Sequence, residues 1–415
     1  MPRSNRNIQS SVDADSLHVH KKKLHVTLLA TEWCSAKGGL STINRVLAKQ
    51  FSSSPNVKVT LFVPPFECEC KEKDKAEAFK CDINIKEADG RMSNSTNPLE
   101  WLAFPPEKLH IDVVVGHDWK LGWQAEKIRR SHSCKWLQMV HTCPEELAMH
   151  KICDTPLSRG EEKHASEVSL CEKADLVVTI GPKLKEAFAK SLRHCEEEKS
   201  VLSITPGVFS EFECVKTSAA DLEKFYILVF GRCDPKDLSI TGYDTAAKAV
   251  AILPSRSYHL TIMGATANNQ RELVDILVSC GLPHCQFVVR KFCTDREHLL
   301  RLFSQFDLVL MPSRTEGFGL TGLEALSAGI PILVSGNSGF AEALRKVKFG
   351  ELYIVEDFED ANEWAKKIKS IRQKERRLRF EEIRQLRTFY KEKYSWESQC
   401  QDLVATMTNM VYGMI

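Results

Sequence analysis

The sequence predicts an α/β chain built as two doubly wound domains that face each other across a cleft. Three observations carry this. Short apolar runs alternate with helical segments along the chain, the pattern that builds parallel sheets. The alternation lapses over residues 209–224, which are polar and mixed, and then restarts with a fresh apolar strand. Finally, 415 residues exceed a single core at roughly 100–200 residues per domain.

The first half opens with LHVTLLA (24–30), a buried strand, followed by the loop TEWCSAKGG. LSTINRVLAKQF (40–51) has apolar residues at helical spacing, and VKVTLFVP (57–64) is a second strand. Residues 66–100 are charged and rich in Cys, Asn and Ser, and read as an inserted excursion. The pattern resumes with IDVVVGHDW (111–119), a strand with a polar end, and CKWLQMVHT (134–142), a strand with a His near its end. A helix around 161–171 leads to the strand ADLVVTIGP (174–182), and VLSITPGV (201–208) closes this half.

The second half starts with FYILVFGR (225–232), a strand running into a glycine loop. A helix over 243–253 follows, then the strands YHLTIMGA (258–265), QFVVRKF (286–292), FDLVLMPS (306–313) and IPILVS (330–335), with helices between. Beyond 358 the chain is helical and charged. Its basic run 372–379 alternates with Glu and reads as a solvated face rather than a nucleic-acid patch. The last helix carries Trp396, Leu403, Met407 and Val411 on one stripe that must pack on something. The expected division is a flexible arm over 1–23, a first domain over 24–210 and a second over 225–395, with helix 396–415 packing back on the first. Ligands of such sheets bind at the carboxyl ends of strands, so the cleft is the expected site.

Composition narrows the class. With 43% hydrophobic and 27% charged residues the chain is an ordinary globular protein, not a disordered or fibrous one. A net charge of +2 gives no reason to expect a nucleic-acid or anionic-membrane partner. No apolar run approaches a membrane span, and the N-terminus lacks the apolar core of a signal peptide, so a cytoplasmic location is expected. The 15 cysteines are odd in number and scattered, as reduced thiols are. Cys68, Cys70 and Cys81 cluster but lack four-ligand zinc spacing, and read as loop thiols.

The most informative segment is SRTEGFGLTGLEALSAGIPILVS (313–335). Glu316 ends the loop after one strand. Gly317, Phe318, Gly319 and Leu320 form a glycine-rich turn, and a helix starts near Thr321 or Gly322 with Glu324 in its first turn. Glycines let backbone approach a ligand, and the amides and dipole of a helix start favour a phosphate. Glu324 alone would be explained by its support of the helix start. Gly317, Gly319 and Gly322 also spell G-x-G-x-x-G, but no acidic residue ends the next strand, which argues against a dinucleotide site. Asp13 and Asp15 spell D-x-D in the polar arm, with no strand before them to present a metal. No P-loop and no nucleophile-elbow motif is present.

Glu316 and Glu324, spaced E-x7-E, resemble the signature of retaining GT-B glycosyltransferases, most closely glycosyltransferase family 4. GRCDPKDLSITGYDTAAKA (231–249) resembles the element that opens the family's second domain. SAKGGLSTINRVLA (35–48) resembles its first-domain Gly-Gly loop and helix. VGHDW, VHTCP, ADLVVTIGP and NSGFAE (337–342) resemble its other landmarks, in the family's order.

The resemblance implies a GT-B fold, two Rossmann-like domains, and transfer of a sugar from a nucleotide-diphosphate sugar to an acceptor. It implies no obligatory metal and no resident cofactor. Arg232 matches the residue on the departing diphosphate, where a guanidinium fork suits phosphate oxygens. Glu324 matches the carboxylate on the nucleotide ribose, and Glu316 the one near the donor sugar hydroxyls. The backbone of Phe318, Gly319, Leu320 and Thr321 would contact sugar and phosphates. Gly38 and Gly39 would let the first domain close on the diphosphate, and His141 matches a position near sugar and acceptor. Arg290, after a strand, is a candidate for the base or donor phosphates. The family's second phosphate-binding residue is a Lys before Gly242, where this chain has Thr241; Lys236, five residues earlier, is the candidate replacement.

Overall fold

In the computed structural model, the residues described are 23–34, 38–65, 71–92, 95–151, 156–195, 199–213, 223–231, 238–266, 269–291 and 296–413. Their strands form two all-parallel sheets. The first contains β1 (Leu24–Leu29), β2 (Val57–Val63), β3 (Ile83–Glu87), β4 (Val113–His117), β5 (Lys135–Val140), β6 (Leu176–Ile180) and β7 (Val201–Ile204). Its spatial order is β3-β2-β1-β4-β5-β6-β7. The second contains β8 (Phe225–Phe230), β9 (Tyr258–Ala265), β10 (Phe287–Lys291), β11 (Leu308–Met311), β12 (Ile332–Ser335) and β13 (Ile354–Val355), ordered β10-β9-β8-β11-β12-β13.

The central strands are continuous apolar runs because helices cover both faces of each sheet. Leu28 of β1 stands opposite Leu61 on one side and Val115 on the other. Chain order reverses between β1 and β4, and again between β8 and β11. At such switch points neighbouring loops leave in opposite directions and open a crevice at the carboxyl ends of the strands. Two crevices therefore exist, one per domain.

One apolar cluster runs through both halves, from Leu28 and Val115 through Phe318 and Phe340 to Tyr390, Trp396 and Met407. The helix Trp396–Tyr412 buries Trp396, Cys400, Leu403 and Met407 and packs along the helix Gly39–Ser52. Tyr412 reaches the first sheet, where its hydroxyl lies 3.3 Å from Asp112 Oδ2. The segment leaving β7 is bound by the same C-terminal helices. Gln399 brackets Thr205, accepting from its N–H (2.8 Å) and donating to its carbonyl (2.9 Å). Tyr390 Oη donates to Pro206 O at 2.8 Å, and Trp396 Nε1 to Gly207 O at 2.9 Å.

The structure corrects three sequence expectations. Residues 66–100 are not a mere excursion: they contain the helix Lys71–Lys80 and edge strand β3. The basic run 372–379 is not wholly a solvated face. Arg376 and Arg379 are 1% and 5% exposed beside Asp307, and the Arg372 guanidinium lies 4.2 Å from the Tyr258 ring centroid. The helix after the glycine turn starts at Leu320, so Glu324 sits in its second turn. The described cysteines are free thiols, with Cys134, Cys171 and Cys400 buried. No helix among the described residues is long and apolar enough to cross a membrane. The arm over 1–22, with Asp13 and Asp15, lies outside the described residues, as do Cys68 and Cys70.

Asp307 ties three elements together. Its carboxylate accepts from Tyr226 N–H at the start of β8 (2.9 Å) and pairs with Arg376 of the helix Arg376–Lys393. Asp307→Ala should cost about 3–5 kcal/mol, because it removes the buried carboxylate that balances the Arg376 charge. Asp307→Leu with Arg376→Met should recover much of that loss. Urea unfolding checks both, and a single-variant loss below about 0.5 kcal/mol, the range of neutral surface changes, would contradict this account.

Candidate active site

The second-domain half is built on the loop after β11. Glu316 is placed by backbone: its N–H donates to Asn337 O and its carbonyl accepts from Gly339 N–H, both at 3.3 Å. These bonds pin the loop after β11 to the loop after β12. Ser313 Oγ donates to Glu316 Oε1 at 3.3 Å. Burial pushes the Glu316 carboxyl above its ordinary range, and the Ser313 hydroxyl and the Lys183 charge pull it back.

Gly319 then turns the chain at φ +107°, and a Cβ there would lie 2.7 Å from the Met311 sulfur, so only glycine fits. The helix Leu320–Ser327 follows with no side-chain cap, so its first amides can serve an anion. Phe318 is buried against Phe340, ring centroids 5.8 Å apart. Glu324 is 9% exposed. The Thr321 methyl lies 3.8 Å from where a Gly231 Cβ would sit, so this helix start adjoins the loop leaving β8. Arg232 and Lys236, on that loop, lie outside the described residues.

The first-domain half is a polar cluster at the ends of β4 and β5. His117 Nδ1 and His141 Nε2 are 2.9 Å apart. Burial holds both rings neutral: His117 is pushed well below the usual imidazole range, with help from His141, and His141 falls to about 3. Asp118 sits in the left-handed region at φ +45°, a conformation Asp tolerates better than most residues. It accepts from His141 N–H at 2.8 Å and from the Thr142 amide, fixing the chain that carries His141. Behind it, Gln138 Nε2 donates to Asp118 O (3.0 Å) and to Glu167 Oε1 (2.9 Å). Burial raises Asp118 to about 7 and holds Glu167 well above the carboxylate range, the Asp118 charge adding to the latter.

The two halves touch. A Cβ on Gly317 would fall 2.4 Å from His141 O, so the loop bearing Glu316 lies directly on the chain bearing His141. A Cβ on Gly39 would meet Leu320 at 3.0 Å, and one on Gly181 would meet Phe318 at 2.5 Å. Gly38, at φ +109°, starts the helix that brings Gly39 there. His141, the Glu316 loop, Phe318, Leu320 and Gly39 are therefore gathered at one seam; Gly319, Thr321 and Glu324 belong to the turn and helix that carry Phe318 and Leu320, and Gly38 is the chain neighbour of Gly39. Arg290 is not among them: it is exposed on β10, an edge strand two positions from the β8/β11 crevice. Sequence reasoning missed Gln138 and Glu167, which are isolated polar residues in a strand and a helix. Their one signal is a polar residue at a position otherwise apolar.

A family model for family 4 glycosyltransferases in conflict systems matches residues 27–403. The chain belongs to that family. A D-inositol 3-phosphate glycosyltransferase of Corynebacterium urealyticum is 24% identical over 328 residues, 71% of each chain. Alignments to curated relatives of the same name span from 55% to 85% of their length. Sucrose-phosphate synthase from Thermosynechococcus elongatus matches the fold with TM-score 0.73 and 17% identity, over 94% of this chain and all of that one. Anabaena HepE, solved with UDP and glucose, matches with TM-score 0.68 and 17% identity, over 93% of this chain and all of that one. These are GT-B glycosyltransferases, and the two facing sheets of this family 4 chain share that architecture.

The Asp118 shift in this family 4 member has a defined sign. Its folded-state affinity for the proton exceeds that of the unfolded chain, where the carboxyl keeps its ordinary value of 3.8. Its contribution to stability is therefore fully present below 3.8 and is lost as pH rises to about 7. Thermal unfolding of wild type and Asp118→Asn across that window should show the wild type losing ground to the variant as pH rises. Parallel curves would refute the assignment.

Proposed function

We propose that this chain is a retaining glycosyltransferase that moves a sugar from a nucleotide-diphosphate sugar to an acceptor hydroxyl. The observation that carries the reading is the closure of the Glu316 loop onto His141, with an uncapped helix start and Glu324 beside it. The leaving group is a diphosphate, so the reaction needs donors aimed at phosphate oxygens. The amides at Leu320 and Thr321 supply some, and Arg232 and Lys236 are assigned the rest. Glu324 takes the ribose, and Glu316 orients the donor sugar through its hydroxyls. His141, neutral, hydrogen-bonds at the sugar and acceptor without adding charge. A same-face displacement, with the leaving phosphate accepting the acceptor's proton, then needs no protein nucleophile. Anabaena HepE was solved with UDP and with UDP-glucose, which supports a uridine donor here. The free thiols accord with a cytoplasmic location.

One observation favours a second reading, a nucleotide-sugar-binding module with weak turnover. Thr241 stands where the family has its second phosphate-binding Lys. Gly242 beside it, at φ +68°, lies against Pro312 O, where a Cβ would come within 2.0 Å, so position 241 is held close to the end of β11.

Thermal shifts with UDP, GDP, ADP and their sugar conjugates test binding. A ligand at 100 times its Kd should add about 2.7 kcal/mol, and Glu324→Ala should lose that shift. Glu316→Gln should keep the nucleotide shift but lower release of UDP from its sugar by about 10²–10³-fold, the usual effect of removing one group that stabilises the transition state. Turnover that appears only in Thr241→Lys would favour the second reading. No shift with any nucleotide would defeat both.

A further inference from the structure

The geometry points to Lys183 as a positioning residue that closes the cleft and sets Glu316. It lies in the first domain, on the helix Pro182–Ser191, and its side chain is 11% exposed. No motif marks it in the sequence, and the polar bonds it makes to the other domain are its distinction. Nζ pairs with Glu146 Oε2 at 2.7 Å, within the first domain. It also donates across the cleft to Thr315 Oγ1 at 3.0 Å, to Asn337 Oδ1 at 2.9 Å and to Asn337 O at 3.2 Å. Thr315 Oγ1 donates in turn to Glu146 Oε2 at 2.9 Å, so Lys183, Thr315 and Glu146 form a closed ring of bonds, with Asn337 attached through Lys183.

Both second-domain partners govern Glu316. Thr315 is its chain neighbour, and Asn337 O is also the acceptor for the Glu316 N–H. When the domains part, the Lys183–Glu146 pair stays whole, because both members belong to one domain. What is lost is the contact with Thr315 and Asn337. The ring is therefore made by closure, and making it fixes the two points that hold Glu316. A buried ammonium with several short partners discriminates sharply between the two arrangements, since an ion in a low-dielectric site gains far more from its bonds than one in water. The charged groups around Lys183 are Glu146, Glu316 and Glu342, and across Gly317 stand the neutral rings of His141 and His117. The Lys183 charge helps keep Glu316 ionised, as a carboxylate accepting from sugar hydroxyls must be.

This inference rests on the glycosyltransferase reading for its kinetic consequence and not for its structural one, so the test uses both. Full-length Lys183→Met, Lys183→Arg and Thr315→Val are compared with wild type by small-angle scattering without nucleotide, and by nucleotide-sugar turnover against pH. Lys183→Met should have a larger radius of gyration than wild type. Its kcat should fall by about 10–100-fold with donor KM nearly unchanged, as misplacement of a reacting group by about 1 Å does. The acid limb of its pH–rate profile should move to higher pH, because Glu316 loses the cation that favours its charged form. Lys183→Arg should return part of kcat and restore the acid limb. Thr315→Val, which leaves the charge in place, should expand the molecule without moving the limb. A merely structural defect would lower stability and leave the limb alone. Wild-type dimensions together with a wild-type limb in Lys183→Met would overturn the proposal. If wild type turns over no nucleotide sugar, the functional reading falls, and the scattering comparison still decides the closure role: expansion upholds it and unchanged dimensions refute it.

Discussion

The arrangement depends on one contact in which two backbones meet with no side chain between them. Gly317 lies against the carbonyl of His141, where a Cβ would intrude to 2.4 Å. Any other residue would hold the two crevices apart, and the groups at β4, β5, β11 and the following helix would face water instead of one another. Gly39 against Leu320 and Gly181 against Phe318 repeat the device on either side. Three close approaches along one seam fix the relation of the domains more narrowly than a single patch would. Polar bonds join the halves beside these contacts, from Lys183 to Thr315 and Asn337 and from Ser239 Oγ to His150 O.

A seam this close needs a framework that returns the domains to the same relation. The chain crosses from first to second domain after β7 and comes back before the helix Trp396–Tyr412. These two crossings are bonded to each other. Gln399 takes both backbone groups of Thr205, Tyr390 and Trp396 take the next two carbonyls, and a Gly207 Cβ would strike Tyr394 O at 2.4 Å. Polar backbone buried at a domain junction must be paired, and pairing one crossing with the other satisfies both. Trp396 thus belongs to the junction between the domains, while Leu403 and Met407 further along its helix are buried where that helix packs on the first domain.

Most of the strand framework was legible because parallel strands buried on both faces are continuous apolar runs, and LHVTLLA, FYILVFG and FDLVLM are such runs. The exceptions have physical causes. Strand β3, INIKE, lies at the sheet edge and carries polar residues on alternate positions, so its composition is that of a loop. Its helix, KEKDKAEAFK, buries only Asp74 and Ala78 and shows little apolar periodicity. Arg376 and Arg379 look like surface charge because a sequence shows the alternation with Glu and not the distant partner. Asp307 is 69 residues away from Arg376. In the candidate site, the turn at Gly319 and the helix after it were readable because a glycine turn demands local residue types, whereas Glu316 and Glu324 stood out through their E-x7-E resemblance. Lys183 was not, since its meaning lies in four bonds to residues as distant as Asn337, 154 positions on.

The electrostatics of the two halves differ in a way that suits the proposed reaction. On the first domain, burial removes charge: both imidazoles are held neutral, and Asp118 and Glu167 are pushed toward the protonated form. A cluster of this kind costs little to enclose, because neutral hydrogen-bonded groups lose less on leaving water than ions do. An imidazolium at His141 would add a cation to the seam and would have no ring lone pair left to accept a hydrogen bond from an acceptor hydroxyl. A neutral ring can accept from that hydroxyl and adds no charge. On the donor side the proposed reading shares the stabilisation between oriented amides at a helix start, which need no counterion while the cleft is empty, and the side chains of Arg232 and Lys236. The Lys183 ammonium reaches across the seam already paired with Glu146, whose carboxylate also meets Thr315 there. On the proposed reading, closure brings the neutral histidine cluster of the first domain against the donor loops of the second, with Glu316 between them as a carboxylate whose charged form the Lys183 ammonium favours.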